Sequence, residues 1–194
     1  MKNFFLLIII VSLGVSCADE TLPKPSAFLR LEYPKANYKN FDTNFPFTFE
    51  KNELAKQIKA RTISSDSGSY AIDLIYPDLK GTIYLTYKPI NNSKERLLRL
   101  LKDAQGFTQE HTQKADAISE QVFESDEKKV YGMFYEVGGN AASQSQFYVT
   151  DSLNHFLTGS LYFYAKPNYD SILPAANYLQ KDIQHIMETV KWKQ

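Results

Sequence analysis

The sequence predicts a single α+β domain, in which a mainly antiparallel sheet is flanked by helices and the last element is an amphipathic helix. Aromatic-rich runs with strand character recur between turn signals, most clearly from residue 138 to residue 164. Apolar residues at helical spacing follow near the C-terminus. With 194 residues, of which 43% are hydrophobic and 14% aromatic, the chain is long enough for one domain with a sizeable core.

The N-terminus has the order of a bacterial lipoprotein signal. Residues 1–16 combine a basic Lys2, an apolar stretch and small residues that lead to Cys17. The apolar stretch is shorter than the ~20 residues that span a bilayer. Gly14 departs from the motif, which usually has an aliphatic residue there. We expect 1–16 to be removed and Cys17 to be acylated, which would anchor the chain to a membrane; the alternative is a signal-peptide cysteine without function.

Cysteine and charge content narrow the class of protein further. Cys17 is the only cysteine, so once it is acylated no disulfide can form and the fold must depend on its own core. Acidic and basic side chains number 22 each. This balance argues against a nucleic-acid partner, because phosphate binding relies on clustered Lys and Arg.

The segment after the signal contains four prolines between residues 18 and 46, which forbid a continuous helix. We interpret residues 17–26 as a tether and residues 27–194 as the domain. Aromatic residues are spaced along the start of the domain, at Phe28, Tyr33, Tyr38, Phe41 and Phe45. They favour an extended arm that lies over the domain, and an exposed recognition strip is the alternative.

The sheet is predicted to begin at residues 47–50. After a polar interval at 51–69, strands are predicted at 70–76 and 82–88. In the second of these, Ile83, Leu85 and Tyr87 alternate with Tyr84 and Thr86, which is the two-residue period of a strand with two different faces. A proline and a glycine in the connection at 77–81 favour a turn, so the two strands form a hairpin.

Two short helices are then expected to interrupt the strands. The first is capped by Asn92 or Ser93, continues through Ala104 and ends at Gly106. Thr108 can cap the second, although the last turn of this helix also has strand character. Its stripe at helical spacing consists of His111, Ala115, Ile118 and Val122.

The sheet resumes at 130–137 and continues in a hairpin of strands 146–150 and 156–164, which we place at the centre of the sheet. Even spacing within these two strands predicts one buried face, made of Phe147, Val149, Leu161 and Phe163.

The last helix has one apolar stripe that should face the sheet. Asp170 or Ser171 can cap this helix, and Pro174 falls in its first turn, where a missing N–H is tolerated. The stripe consists of Ile172, Ala176, Leu179, Ile183, Ile186 and Val190.

Catalytic and metal-binding chemistry finds little support. Asp151, Ser152 and His155 have the residue types of a hydrolase triad, but within one turn they are more readily explained as turn-capping residues and the start of a strand. The histidines at 111, 155 and 185 have no paired metal-ligand spacing, so no metal site is predicted. The Gly138-Gly139-Asn140 loop lacks the spacing and lysine of a phosphate loop, and no cofactor is expected.

Polar and aromatic residues gather around the central hairpin and are typical of a protein-recognition surface, with an ordinary solvated loop as the alternative. The candidate partner surface consists of Asn140, Ser143, Gln144, Gln146, Tyr148, Asp151, Ser152, Asn154 and His155.

The chain also resembles the GldD family, the gliding-motility lipoproteins of the Bacteroidetes, over essentially the whole mature sequence. The resemblance begins soon after Cys17 with Pro23-Lys24-Pro25 and extends to Asp170-Ser171. Phe28 departs from the tyrosine expected there. Among the segments that carry the resemblance are Tyr33-Pro34, Pro46-Phe47-Thr48-Phe49-Glu50, Gly81-Thr82-Ile83-Tyr84-Leu85-Thr86-Tyr87, Gly139-Asn140-Ala141-Ala142-Ser143, Gln146-Phe147-Tyr148-Val149-Thr150-Asp151-Ser152, Leu161-Tyr162-Phe163 and Pro167-Asn168.

The resemblance implies a lipid-anchored envelope component that is required for gliding, with other proteins of the gliding and type IX secretion machinery as partners and with no enzyme activity to transfer. The order of elements also resembles a PsbP-type α/β/α sandwich. We expect the lipid in the outer membrane with the domain in the periplasm, and the inner membrane is the alternative. Other functions left open are an envelope hydrolase that uses His155 or His111 and a small-ligand-binding lipoprotein.

Overall fold

A computed structural model describes residues 32–42, 44–64, 68–112, 115–139, 141–164 and 169–193. Within these residues the chain forms two antiparallel sheets and two long helices, which confirms the predicted α+β class. The elements in chain order are β1 (Tyr38–Asp42), β2 (Phe47–Asn52), β3 (Gln57–Ser64), β4 (Ser69–Tyr76), a short 3-10 turn (Pro77–Leu79), β5 (Gly81–Pro89), α1 (Lys94–Thr112), β6 (Ala115–Ser125), β7 (Val130–Gly139), β8 (Ser143–Thr150), β9 (His155–Phe163), α2 (Tyr169–Thr189) and β10 (Lys191–Trp192).

The larger sheet has seven strands in the order β3-β4-β5-β9-β8-β7-β6, and every neighbouring pair is antiparallel. Five hairpins build it, and β9 closes the two halves by pairing along β5 from Gly81↔Phe163 to Pro89↔His155. The β8–β9 hairpin therefore lies at the centre of the sheet, as the sequence predicted. All eight residues of β8 are buried, because both faces of this strand are covered.

One face of the seven-stranded sheet packs against α2 and against the small sheet of order β1-β2-β10. The predicted stripe of α2 is buried along its whole length, which confirms it as the face that meets the sheet. Phe163 packs against this core but is only partly buried. The sheet residues of this face include Ile83, Leu85, Tyr87, Phe134, Phe147, Val149, Leu157 and Leu161.

The opposite face packs against α1. Leu100 of α1 is buried against Tyr148 and Phe156, and Leu97 and Ala104 pack beside it. The side chain of Ser93 accepts a hydrogen bond from the backbone N–H of Arg96 at 3.2 Å, which confirms Ser93 as a helix cap. The two helices thus lie on opposite faces, in an α/β/α arrangement.

The aromatic arm interpretation is confirmed for the described residues. Tyr33, Phe41 and Phe45 pack against the main core. The Phe45 ring stacks on Tyr70 with centroids 4.4 Å apart. Phe28 and the residues of the signal and tether, Cys17 included, lie outside the described residues.

The structure corrects the predicted helices between 93 and 122. Instead of ending at Gly106, α1 continues to Thr112, and residues 115–125 form the strand β6. A glycine inside a helix costs only about 1 kcal/mol, and this cost does not end the helix. Ile118 and Val122 have helical spacing, but Val122 is 63% exposed, and pairing along all of β7 makes the segment a strand.

Three short or polar strands were missed. β3 lies in the interval that was interpreted as polar, and β1 and β10 lie at the two ends of the domain. β3 is an edge strand whose residues 57 and 59–63 are exposed, and its only large apolar residues are Ile58 and Ile63, too few to mark a half-buried strand. The last helix also begins earlier than the caps indicated, so Pro174 lies inside α2 and not in its first turn.

The contact between Gly159 and Phe147 gives a stability prediction. A Cβ at Gly159 would lie 2.1 Å from the Phe147 ring. We expect Phe147→Ala to lower the free energy of unfolding by about 3–5 kcal/mol, and Gly159→Ala by about 1–3 kcal/mol through overpacking. The double variant should lose less than the sum, because alanine at 147 makes room for the new methyl group. Urea unfolding of the four proteins measures this, and additive losses would contradict the contact.

Candidate functional site

The turn between β8 and β9 is organised by the carboxylate of Asp151. Its Oδ1 accepts hydrogen bonds from the backbone N–H groups of Leu153 (3.0 Å), Asn154 (2.8 Å) and His155 (2.8 Å). Ser152 is exposed and has a φ of 67°. The turn-capping interpretation of Asp151 is therefore confirmed, and its acceptor oxygen is engaged by the backbone and not by an imidazole.

His155 is held by aromatic neighbours instead of by a nucleophile. Its Nδ1 lies 2.9 Å from the hydroxyl of Tyr87. Its ring stacks on Trp192, with centroids 4.9 Å apart and an interplanar angle of 9°. Burial lowers the pKa of His155, while the charge of Asp151 acts in the opposite direction. The three residues are close in space, but they do not form the nucleophile, base and orienting group of a hydrolase triad.

Much of the candidate partner surface turns out to be buried. Ser143, Gln144, Gln146 and Tyr148 lie within β8, which begins at residue 143 and not at 146. The Gln144 amide donates a hydrogen bond to the carbonyl of Ala141 at 2.7 Å. These four side chains cannot contact a partner in this conformation. Asn140 lies outside the described residues.

The exposed remainder of that surface forms one end of the sheet together with a neighbouring turn. The N–H of Asn92 donates to the carbonyl of Leu153 at 2.7 Å, and the N–H of Ile90 donates to the carbonyl of Asn154 at 2.7 Å. These bonds fix the two turns to each other, and Leu153 is 55% exposed between them. We call this surface the turn platform, and it consists of Asn91, Asn92, Ser152, Leu153 and Asn154.

His185 is the other histidine whose side chain is described. His185 Nε2 lies 2.8 Å from Glu50 Oε2, and its ring stacks on Tyr38. The side chain of His111 lies outside the described residues. Among the residues that are described, no group of three or more His, Cys, Asp or Glu side chains could hold a metal ion. Neither α1 nor α2, in the same part of the chain, has the length and apolarity needed to cross a membrane.

A cavity of about 320 Å³ lies between α1 and the sheet face that α1 covers. The strand register gives its layout. Thr86 pairs with Thr158, and the next row pairs Tyr84 with Ser160. Thr86, Thr158 and Ser160 form a floor of small hydroxyl side chains. The roof is formed by Leu100, Asp103 and Ala104 of α1, and the walls by Lys88, Phe156, Tyr148, Tyr135, Gln146, Tyr84 and Tyr162.

Aromatic rings form most of these walls. Tyr148 and Phe156 stack with centroids 5.8 Å apart, and Tyr84 meets Tyr162 edge-on at 5.8 Å. Burial raises the pKa of Tyr135 to about 12. The hydrogen bond to Tyr164 raises that of Tyr84 to about 12. Both phenols are therefore protonated at neutral pH, and the hydroxyl of Tyr84 lies 3.4 Å from that of Tyr164.

A second, more open depression of about 340 Å³ adjoins the cavity, with which it shares Lys88, Leu100 and Asp103. It adds the guanidinium groups of Arg96 and Arg99. One face of α1 carries all the lining residues of this helix, because spacings of three and four residues relate positions 96, 99, 100, 103 and 104.

Sequence reasoning missed this cavity. The alternation of β5 separates Tyr84 and Thr86 from the core residues, but only the sheet order brings them beside Ser160 and Tyr148.

A buried carboxylate forms a second polar cluster on the other side of the sheet. Asp182 of α2 is 1% exposed. It accepts hydrogen bonds from the hydroxyl of Tyr38 at 2.7 Å and from the amide of Asn52 at 2.9 Å. Burial raises the pKa of Asp182, and these hydrogen bonds partly offset the shift. Because its donors come from β1 and β2, the cluster joins the small sheet to α2 and is a structural element.

Comparison with known proteins identifies one family. A family model described as "Gliding motility lipoprotein GldD" matches residues 18–192, which is nearly the whole chain. No curated protein matches the sequence.

The environment of His155 gives a titration prediction. We expect its imidazole to titrate below 6.5, its ordinary pKa, because burial disfavours the charged ring. The unfolded chain then binds a proton more readily, so the stability contributed above pH 6.5 is lost as the pH falls through the lowered pKa. Titration followed by NMR in the Trp192→Ala variant, which removes the stacked ring, should show a pKa closer to 6.5. An imidazole pKa above 6.5 in the wild type would contradict this environment.

Proposed function

This chain belongs to the gliding motility lipoprotein GldD family, and we propose from that membership that it is a non-enzymatic assembly factor of the gliding and type IX secretion machinery. It is a lipid-anchored protein of the cell envelope. In the proposed role the folded domain binds other envelope proteins while Cys17 carries the lipid.

One observation carries the proposal: the family match extends over residues 18–192, so it includes every described element. The site chemistry supports a binding role in place of catalysis. The carboxylate of Asp151 accepts hydrogen bonds from the backbone of the turn. The imidazole of His155 is hydrogen-bonded to Tyr87 and stacks on Trp192. A hydrolase built on His155 finds no support in these contacts.

We place the partner surface on the turn platform. Both of its turns are fixed by backbone hydrogen bonds, so little conformational freedom would be lost when a partner binds. Leu153 offers an exposed apolar side chain, and the surrounding Asn and Ser side chains offer amides and hydroxyls. An apolar centre within a polar rim is the usual composition of a protein interface.

The partner surface gives a prediction in living cells. In a gliding strain, Leu153→Asp should abolish colony spreading and the secretion of type IX cargo to the level of a deletion strain. The protein should still accumulate and should unfold at the wild-type temperature, because substitutions at exposed sites usually change stability by less than about 0.5 kcal/mol.

Val122→Asp is the matched control, since Val122 is 63% exposed on β6, away from the turn platform. It should glide normally. If the Leu153 variant glides as well, the turn is only a connection and the partner site lies elsewhere. If the deletion strain itself spreads and secretes, the proposed function is wrong.

The anchor gives a separate prediction. We propose that the lipid is inserted in the outer membrane and that the domain faces the periplasm. On a sucrose gradient the protein should therefore move with outer-membrane markers, and a Cys17→Ser variant should leave that fraction. Co-migration with inner-membrane markers would contradict the assignment of the membrane while leaving the assembly role intact.

A further inference from the structure

The cavity beneath α1 has the size and lining of a small-molecule site, and the proposed assembly role does not use it. Its volume of about 320 Å³ lies at the lower end of the roughly 300–1,000 Å³ that is usual for ligand pockets. Its walls are mainly apolar and aromatic, with a few hydroxyls and the buried amide of Gln146 between them. This combination favours a ligand with an apolar body that is oriented by few polar contacts.

The shape of the cavity restricts that body. Thr86, Thr158 and Ser160 are small residues on neighbouring strands. They leave space above the sheet, and the larger side chains of the lining surround that space. Tyr84 and Tyr162 close one end, and the stacked Tyr148 and Phe156 line the other. A trough between a flat sheet and a helix fits a flat, apolar body, and the aromatic walls favour ring contacts.

Charge is distributed unequally along the cavity. At the end that joins the open depression, Lys88 is followed by Arg96 and Arg99, with Asp103 as the only opposing carboxylate in the lining of either space. None of these four side chains has an ion-pair partner among the residues that the structure describes. At the other end, the negative charge of Glu120 contributes to the raised pKa of Tyr135. The field therefore attracts a negative group to the end marked by Lys88.

We infer that this cavity binds a small amphipathic anion, whose flat apolar body lies between α1 and the floor and whose carboxylate or phosphate lies at Lys88, Arg96 and Arg99. Guanidinium groups match both kinds of anion in bidentate geometry. The hydroxyls and phenols of the lining can then bond the polar atoms of the body.

Photolabelling of the detergent-solubilised, lipidated full-length chain tests the inference. The probe is para-benzoylbenzoate, which combines an apolar aromatic body with a carboxylate. Benzophenone is the neutral match, para-benzoylphenyl phosphate is the phosphate match, and mass spectrometry locates the label. We expect saturable labelling of peptides that line the cavity, and at least one of the two anions should label at lower concentration than benzophenone. The relative affinity of the two anions distinguishes a carboxylate ligand from a phosphate ligand.

Two kinds of variant test the binding of the apolar body and the binding of the anionic group separately. Lys88→Gln with Arg99→Gln should weaken labelling by the anions about tenfold, as the loss of two partly exposed ion pairs implies, and should leave benzophenone unchanged. Lys102→Gln is the matched control, because Lys102 is an exposed cation of α1 outside the lining. Ser160→Leu fills the floor and should reduce labelling by all three probes, and Ala104→Leu fills the cavity from the helix side if the first variant fails to fold.

Labelling outside the cavity, or labelling that persists in folded variants with a filled floor or roof, would overturn the site. Equal labelling by the neutral and anionic probes, unchanged by loss of Lys88 and Arg99, would overturn the assignment of an anion. Either result leaves the assembly role untouched, since Leu153 and the turn platform do not line the cavity.

Discussion

β8, which pairs with β9 at the centre of the sheet, is buried on both faces, and this burial is the constraint on which the rest of the structure depends. A strand covered on both sides can keep polar side chains only if they bond inside the protein, because an unsatisfied buried polar group costs about 1–3 kcal/mol. Gln144 meets this requirement in part, since its Nε2 donates to the carbonyl of Ala141 while its Oε1 has no hydrogen-bond partner among the described residues, and Ser143 meets it by donating to the carbonyl of Ser145. The turn that joins the strands meets it through the carboxylate of Asp151, whose Oδ1 accepts three backbone hydrogen bonds. The polar composition of this hairpin thus serves the fold first, and only the residues at its tip remain for a partner.

The two helices divide the molecule into a side that carries the N-terminal segment and a side that carries the cavity. On the α2 side, Tyr178 donates to the carbonyl of Pro34 at 2.9 Å, and Tyr38 reaches the buried carboxylate of Asp182. These contacts fix the chain on its way from the anchor to the first strand. The cavity lies across the sheet, beneath α1. A ligand or a partner on that side would therefore meet the face of the sheet opposite to the one against which residues 33–42 pack.

The start of α1 connects the turn platform, where we propose that a partner binds, to the cavity, where we propose that an anion binds. Ser93 caps this helix, and Asn92, one residue earlier, is bonded to Leu153 in the turn platform. Arg96 and Arg99 follow within the first two turns and project toward the mouth of the cavity. Because one short stretch holds both the partner turn and the cavity cations, a change in the position of α1 would move both.

The sequence by itself determined the α+β class, the central hairpin, the apolar stripe of α2 and the capping role of Asp151, because each depends on local periodicity or on a local hydrogen bond. It did not determine the length of α1 or the strand β6, since Ala115, Ile118 and Val122 have helical spacing and only pairing with β7 makes this segment a strand. Nor could it show that Gln146 and Tyr148 are buried, because that depends on α1 covering a second face of the sheet. The cavity is the clearest case. Its floor and walls come from β5, β7, β8 and β9, and its roof comes from α1. Residues of β5 and β9 that are more than sixty positions apart in the chain become neighbours only when these two strands pair.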